Sequence, residues 1–271
     1  MDLKVAKVLP GGNSTIIVES EIEPGLRAKV SNILMGADYL CAEQVGFLRS
    51  PIDPQKAEAR LEMMGGELCI NALRSTAALL YSKDVSKTNV RLESSGFSGT
   101  LECTNETKDD RIETSIQLSC PLNFTEKPYG TLVQLEGIAH LVHKVQSMPE
   151  KKSAEEEFRS LIEKDGDLSA LPACGFMPYI EDGTVVTFMP LVYVRDTDSM
   201  IFETGCGSGS IAVALTRYNS NKENNAVSIL QPSGENYSIE IVDEGDNTVL
   251  ARLSSAVSMI FTGTVSIPSS L

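Results

Sequence analysis

Twice in this chain a small, Gly-containing turn carrying a single cysteine runs directly into an apolar helix. The first copy reads Gly65-Gly66-Glu67-Leu68-Cys69-Ile70-Asn71-Ala72 and continues to Tyr81; the second reads Glu203-Thr204-Gly205-Cys206-Gly207-Ser208-Gly209-Ser210 and continues to Tyr218. The first backbone N–H groups of a helix have no partner inside it, so in each copy they point at whatever lies beside the thiol and favour an anion there. Each turn is an anion cradle with a nucleophile in it. In both copies an acidic residue precedes the cysteine, a tyrosine follows it by 12 positions, and the two cysteines stand 137 residues apart. The repeat predicts a duplicated domain with one thiol from each half.

At 271 residues the chain is long enough for two ordinary domains, each with its own core. A formal net charge of −14 argues against nucleic acid and anionic membrane as partners, because both require a basic face. No run approaches the roughly 18 apolar residues of a membrane span, and the start Met1-Asp2-Leu3-Lys4 has no apolar leader segment, so a cytoplasmic protein is expected. The six cysteines (41, 69, 103, 120, 174 and 206) show no C-x-x-C and no zinc-site spacing, so they are read as reduced thiols with no metal among their partners. Cys41, Cys103, Cys120 and Cys174 read as small core hydrophobes.

Taken in order, residues 3–9 and 14–18 read as strands around the turn Pro10-Gly11-Gly12-Asn13, 24–36 as a helix and 41–48 as a strand with a polar start. Residues 53–63 read as a short helix, although Leu61, Met63 and Met64 equally suit a strand feeding Cys69. Strands are expected at 89–93, 99–102 and 111–118, with 82–88 and 104–110 as connections, so the first half is mostly sheet around one helix. Residues 121–130, with two prolines, read as a linker. The second half repeats the plan: a strand at 131–145, an exposed helix at 148–165, strands at 173–178 and 185–194, the second cysteine turn and its helix, then strands at 227–231, 237–242 and 248–253. The last run, 257–267, is apolar enough for a central strand that crosses back to the first domain. The expected domains are 1–123 with a strand of about 261–271, and 124–260.

Two thiols facing each other across a cleft suit one reaction class: removing a proton from one face of a carbon and returning one to the opposite face. A thiol's pKa of about 8.5 falls to about 3.5–7.5 at a helix N-terminus. One member can then wait as thiolate while the other stays thiol, and the two titrate as a coupled pair. Helix-start amides aimed at a substrate carboxylate would stabilise the charge that builds as an α-proton leaves, and closure over the substrate would strengthen them.

Six segments carry a family likeness: Gly12-Asn13 with Thr15; Cys41-Ala42-Glu43-Gln44-Val45-Gly46-Phe47; Gly66-Glu67-Leu68-Cys69 with Asn71-Ala72; Pro190 to Val194; Glu203 with Cys206-Gly207-Ser208-Gly209; and Gln231-Pro232 with Gly234. In these the chain resembles the diaminopimelate epimerase superfamily, and within it the histidine racemases that supply D-histidine for staphylopine-type metallophores. The resemblance implies an α/β (α+β) fold of two pseudo-symmetric domains, each a curved mixed sheet or barrel around a central helix, with the active site in the interdomain cleft. It implies a pyridoxal-independent amino-acid racemase, most similar to those for histidine, with no cofactor and with Cys69 and Cys206 as the catalytic pair. Asn13 and Asn71, with the amides after each cysteine at Ile70, Gly207 and Ser208, fall where the family holds the substrate's carboxylate and amino groups. His140 takes the place of the family's Asn-Pro-His histidine, whereas His143 has no match and reads as structural or solvated. Glu43 matches a glutamate at the substrate pocket of histidine racemases, against the plainer reading of a strand-end surface residue. Glu203 either binds an ammonium group or caps the turn. The implied partner is a small amino acid, histidine first, and the oligomeric state is open, a homodimer included.

Two departures matter. Ile70 stands where the family has glycine, and Thr197 and Asp198 stand where diaminopimelate epimerases carry a Glu-Arg pair for the distal end of their substrate, which argues against diaminopimelate itself. The rival from another class is an S-adenosylmethionine methyltransferase, since Gly205 to Gly209 imitates its nucleotide loop. That loop requires an acidic residue at the end of the next strand, about 20 residues on, and here Val227-Ser-Ile-Leu-Gln231-Pro232 has none, with 62 residues left after Gly209. A racemase for another amino acid, or a dehydratase or isomerase on the same fold, is the nearer alternative.

Overall fold

A computed structural model of the chain describes residues 1–182, 185–196 and 198–268. Thr197, one of the two positions that replace the Glu-Arg pair, lies outside the described residues, as do 269–271 of the expected last strand. The chain forms two units, Met1–Gln117 with Ser254–Leu271, and Leu118–Leu253.

In the first unit, β1 (Asp2–Pro10) turns through Gly11 and Gly12, both at positive φ, into the antiparallel β2 (Thr15–Val18). After α1 (Arg27–Met35), β3 (Gln44–Arg49) lies parallel to β2 and antiparallel to β4 (Ala59–Met63). The helix expected over 53–63 does not form. Pro54 steers Asp53 away from helical angles, and residues 59–63 bury every second side chain, Ala59, Leu61 and Met63, as a strand requires. The strand alternative is the one realised. Then come α2 (Ile70–Lys83), β5 (Asn89–Ser94), β6 (Leu101–Lys108) and β7 (Arg111–Pro121). Asp109 and Asp110 make the two-residue turn between β6 and β7 with φ of 49° and 61°, the left-handed angles that such a hairpin needs.

The second unit holds β8 (Phe124–Lys127), β9 (Gly130–Leu135), β10 (Ile138–Lys144), α3 (Lys151–Lys164), the single turn α4 (Gly166–Ser169), β11 (Ala173–Asp182), β12 (Val185–Phe188), β13 (Leu191–Val194), β14 (Ser199–Phe202), α5 (Gly207–Ser220), β15 (Ala226–Leu230) and β16 (Asn236–Gly245). The expected linker at 121–130 is largely strand: Pro121 ends β7, β8 begins at Phe124, and prolines are tolerated at such strand ends. The single strand expected at 131–145 is a hairpin, broken at Gly137 with φ of 76°. The helix at 148–165 exists as α3 and is amphipathic, burying Ala154, Phe158 and Ile162; Phe158 stacks on Phe176 of β11 at 5.7 Å. β14 has no counterpart in the expectations. The pairings β11–β13, β13–β14 and β15–β16 are antiparallel, whereas the nucleotide loop of the methyltransferase reading belongs to a mostly parallel sheet. α5 packs against β9, β10, β11, β15 and β16.

From β16 a turn at Asp246 and Asn247 leads into β17 (Thr248–Ser266), one 19-residue strand where two were expected. From Ser254 it belongs to the first unit, and residues 257–266 pair antiparallel with the whole of β1. β17 also pairs with β7, so β1 to β7 and β17 close into an eight-strand ring. α2 packs against β1 to β6. It is buried on nearly every side, and apart from Asn71, Arg74 and Tyr81 its buried residues are apolar or small; Ser75 and Thr76 satisfy their hydroxyls on the carbonyls of Asn71 and Ala72, each at 2.9 Å.

Arg74 of α2 is fully buried. It donates to the Thr114 carbonyl of β7 (3.2 Å), to the Ser255 carbonyl of β17 (2.7 Å) and hydroxyl, and to Asn71 Oδ1 (3.2 Å). Arg74→Met would leave both carbonyls buried without this donor and should lower stability by about 3 kcal/mol, read as a fall in the urea midpoint at unchanged slope.

Candidate active site

Cys69 is the residue that caps α2. Its backbone is extended (φ −125°, ψ 106°) and its sulfur accepts the N–H of Ala72 at 3.4 Å, in place of the oxygen that usually fills this position. The thiol in turn donates to Gln44 Oε1 at 3.0 Å. Gln44 is 5% exposed, and its Nε2 donates to Asn13 Oδ1 and to Thr15 Oγ1 (2.7 Å). Asn13, fully buried, donates from Nδ2 to Glu43 Oε2 at 2.7 Å. The first unit therefore brings Asn13, Glu43 and Cys69 into one hydrogen-bonded set. Asn71, 3% exposed, has its Oδ1 fixed by Arg74, and the Ile70 side chain is buried at 1% exposure.

Cys206 repeats the cap on α5, with φ −127° and ψ 109°, and its sulfur accepts the N–H of Gly209 at 3.3 Å. Its own N–H donates to Gln231 Oε1 (3.0 Å), and Gln231 Nε2 reaches Ser210 Oγ and the Ile229 carbonyl, both at 3.1 Å. Ser208 Oγ lies 3.8 Å from the sulfur. Gly209 leaves room for the sulfur: a Cβ there would stand 2.6 Å from Met177 Sδ and 3.0 Å from the Cys206 sulfur, so Met177 would have to shift. Burial pushes the Cys206 thiol well above its usual range, and the negative charge of Glu203, hydrogen-bonded to the thiol, pushes the same way against the Gly209 N–H. Of the two roles considered for Glu203, neither describes this contact with sulfur.

His140, on β10, is buried completely, and neither ring nitrogen has a hydrogen-bond partner among the described residues. It packs over Gly175, where a Cβ would come within 2.3 Å of Nδ1. His143 is half-buried with its ring 6.4 Å from that of Phe176. Cys103, Cys120 and Cys174 are buried and pushed up to about 12 by desolvation, as core thiols. Cys41 departs from that expectation: it is exposed, with φ of 48°. Gln44, Gln231 and Arg74 organise the two cysteine turns and were not among the residues singled out from sequence; the two glutamines stand inside motifs that were. Among the described residues no group of three or more His, Cys, Asp or Glu side chains is placed to hold a metal, and no helix is long and apolar enough to cross a membrane.

The family described as the histidine racemase CntK N-terminal domain matches residues 2–266. A histidine racemase of Fusobacterium nucleatum subsp. nucleatum is 30% identical over 245 residues, covering 86% of this chain and 87% of that protein. One from Staphylococcus aureus is 26% identical over 247 residues, covering 86% of each. A hydroxyproline epimerase of Agrobacterium vitis, solved with bound trans-4-hydroxy-L-proline, shares the fold with a TM-score of 0.71 at 13% identity, over 97% of this chain and 91% of that one.

Burial draws the His140 imidazole down to about 3, whereas a histidine in the unfolded chain titrates near about 6.5. Between those values the unfolded state binds a proton that the folded state refuses, so stability is complete above about 6.5 and falls as the pH drops. The expected slope from this residue approaches about 1.4 kcal/mol per pH unit, and His140→Leu should remove it from urea denaturation series between pH 6.5 and 4.

Proposed function

The chain belongs to the histidine racemase family, and from that premise we propose that it is a cofactor-independent histidine racemase using Cys69 and Cys206 as its two bases. Membership makes it an amino-acid racemase. The observation that carries the finer reading is the matched capping geometry: each unit presents one thiol at the start of a buried helix, with backbone angles agreeing within a few degrees.

In this reading the substrate carboxylate lies against the helix-start amides at Ile70, Gly207 and Ser208, with Asn13 and Asn71 helping to hold the carboxylate and ammonium. Those amides stabilise the charge that develops when the α-proton leaves. The reacting form carries Cys206 as the thiolate, and the Glu203 charge beside it, which raises the proton affinity of this sulfur, makes that thiolate a stronger base. The thiolate removes the α-proton, its electron pair passes into the carboxylate, and the Cys69 thiol delivers its proton to the opposite face of Cα. The product is the other enantiomer, with Cys69 now the thiolate; the reverse reaction retraces these steps. Glu43 accepts the N–H of the substrate imidazole. A diaminopimelate epimerase-like pairing of two domains and a supply of D-histidine to metallophores complete the reading and rest on the resemblance alone; the cytoplasmic location rests on the sequence reading alone.

The test is incubation of the reduced protein with L-histidine and a panel of other L-amino acids in deuterated water without added cofactor. α-Deuterium and D-histidine are expected; their absence with every amino acid would end the racemase reading, and turnover confined to another amino acid would move the specificity. Cys69→Ser and Cys206→Ser should each lose about 10²–10⁴-fold in kcat. Glu43→Gln should lower kcat/KM for histidine about 10–100-fold, as expected for one hydrogen bond to a charged group.

A further inference from the structure

The donors and acceptors around Cys69 form a chain that can be oriented in one way only. A carboxylate has no proton to give, so Asn13 must turn Nδ2 toward Glu43 (2.7 Å) and keep Oδ1 for its other neighbour. That neighbour is Gln44, which must then present Nε2 to Asn13 Oδ1 and Thr15 Oγ1, and Thr15 has its own hydroxyl 3.3 Å from Asn13 Oδ1. Gln44 is left with Oε1 facing sulfur at 3.0 Å, an atom that can accept from a thiol and has nothing to offer a thiolate. Asn13 and Thr15 are fully buried and Gln44 is 5% exposed, so solvent does not relieve a reversed amide.

We infer that Gln44 is a positioning residue that holds Cys69 in its protonated, proton-donating form, with its amide orientation dictated by Glu43 through Asn13. The inference rests on the reading of Cys69 as one of the two bases and deepens it. The side chain that meets the substrate's imidazole is also the one that sets the charge state of a thiol, so a change at Glu43 reaches the proton-transfer step as well as binding. Reversing Gln44 would turn Nε2 toward sulfur and favour the thiolate, but it would also reverse Asn13 and place two acceptors face to face at Glu43. Other influences on Cys69 are the Ala72 N–H and the positive end of α2, which favour the thiolate, Glu67 two residues earlier, whose Oε2 accepts the Gly65 N–H at 3.0 Å, and Arg74, which reaches the next turn through Asn71.

The test reads Cys69 directly. The full reduced chain is treated with iodoacetamide across a pH series, and the Cys69 peptide is followed by mass spectrometry apart from that of the exposed Cys41. A glutamine at 43 can face Asn13 with either end, so Glu43→Gln should raise the alkylation rate of Cys69 at pH 7 about tenfold, one pH unit in its midpoint. In a Gln44→Met background, where no amide remains to reverse, the same change should give about twofold, the effect of charge alone. Gln44→Glu, nearly isosteric, guards against a folding defect and should slow alkylation below wild type. Equal effects of Glu43→Gln in the two backgrounds, or no acceleration at all, would overturn the relay. The titration needs no turnover: the expected alkylation pattern without histidine racemisation keeps the relay and removes the catalytic reading, and racemisation with equal effects in both backgrounds does the reverse.

Discussion

Both central helices start with the same unmet demand, a first turn of backbone N–H groups that nothing inside the helix can satisfy. Serine or aspartate usually answers it with oxygen. Here sulfur does, at 3.4 Å in one unit and 3.3 Å in the other, and sulfur is the weaker acceptor. Such a cap leaves the helix start polar and underfilled, so the structure keeps these helices through burial: α2 is packed by six strands and α5 by five. The surrounding sheets supply the stability that the caps withhold.

The two caps are alike in backbone and unlike in surroundings. Cys69 is half-buried and faces the carbonyl of a neutral glutamine, whereas Cys206 is buried and faces a carboxylate. Glutamine appears at both, yet Gln44 touches sulfur while Gln231 receives the backbone N–H of the cysteine itself. Identical helix starts thus stand in different polar surroundings, a neutral carbonyl beside one sulfur and a carboxylate beside the other.

The cysteine turns are legible in sequence because capping is local: glycine, cysteine and an apolar helix follow one another with no long-range condition. Elements whose character depends on distant partners are less so. Residues 59–63 carry both a helical and a strand pattern, and Pro54 with the pairing to β3 decides for the strand. Ser199–Phe202 has four half-buried residues in a row and no alternation to announce β14, which exists because β13 offers it an edge. Gln44 can be read as part of a motif, but its role depends on which way the amide of Asn13 faces, 31 positions away. Glu203 is visible as an acid before a turn, and only the path of that turn brings it to sulfur.

β1 closes its ring by pairing with residues 257–266, and the N-terminal ammonium of Met1 donates to the carbonyl of Ile267. β1 is thus made well before this neighbour, and residues 118–253, all of the second unit, are made between the two. The second unit can therefore condense before the ring around α2 is closed, and β1 keeps an open edge until residues 257–266 have been made. Such an edge is a template for pairing with the wrong chain, and in β1 it carries Lys4 and Lys7, charges that discourage a stray strand from docking while the proper one is still being made.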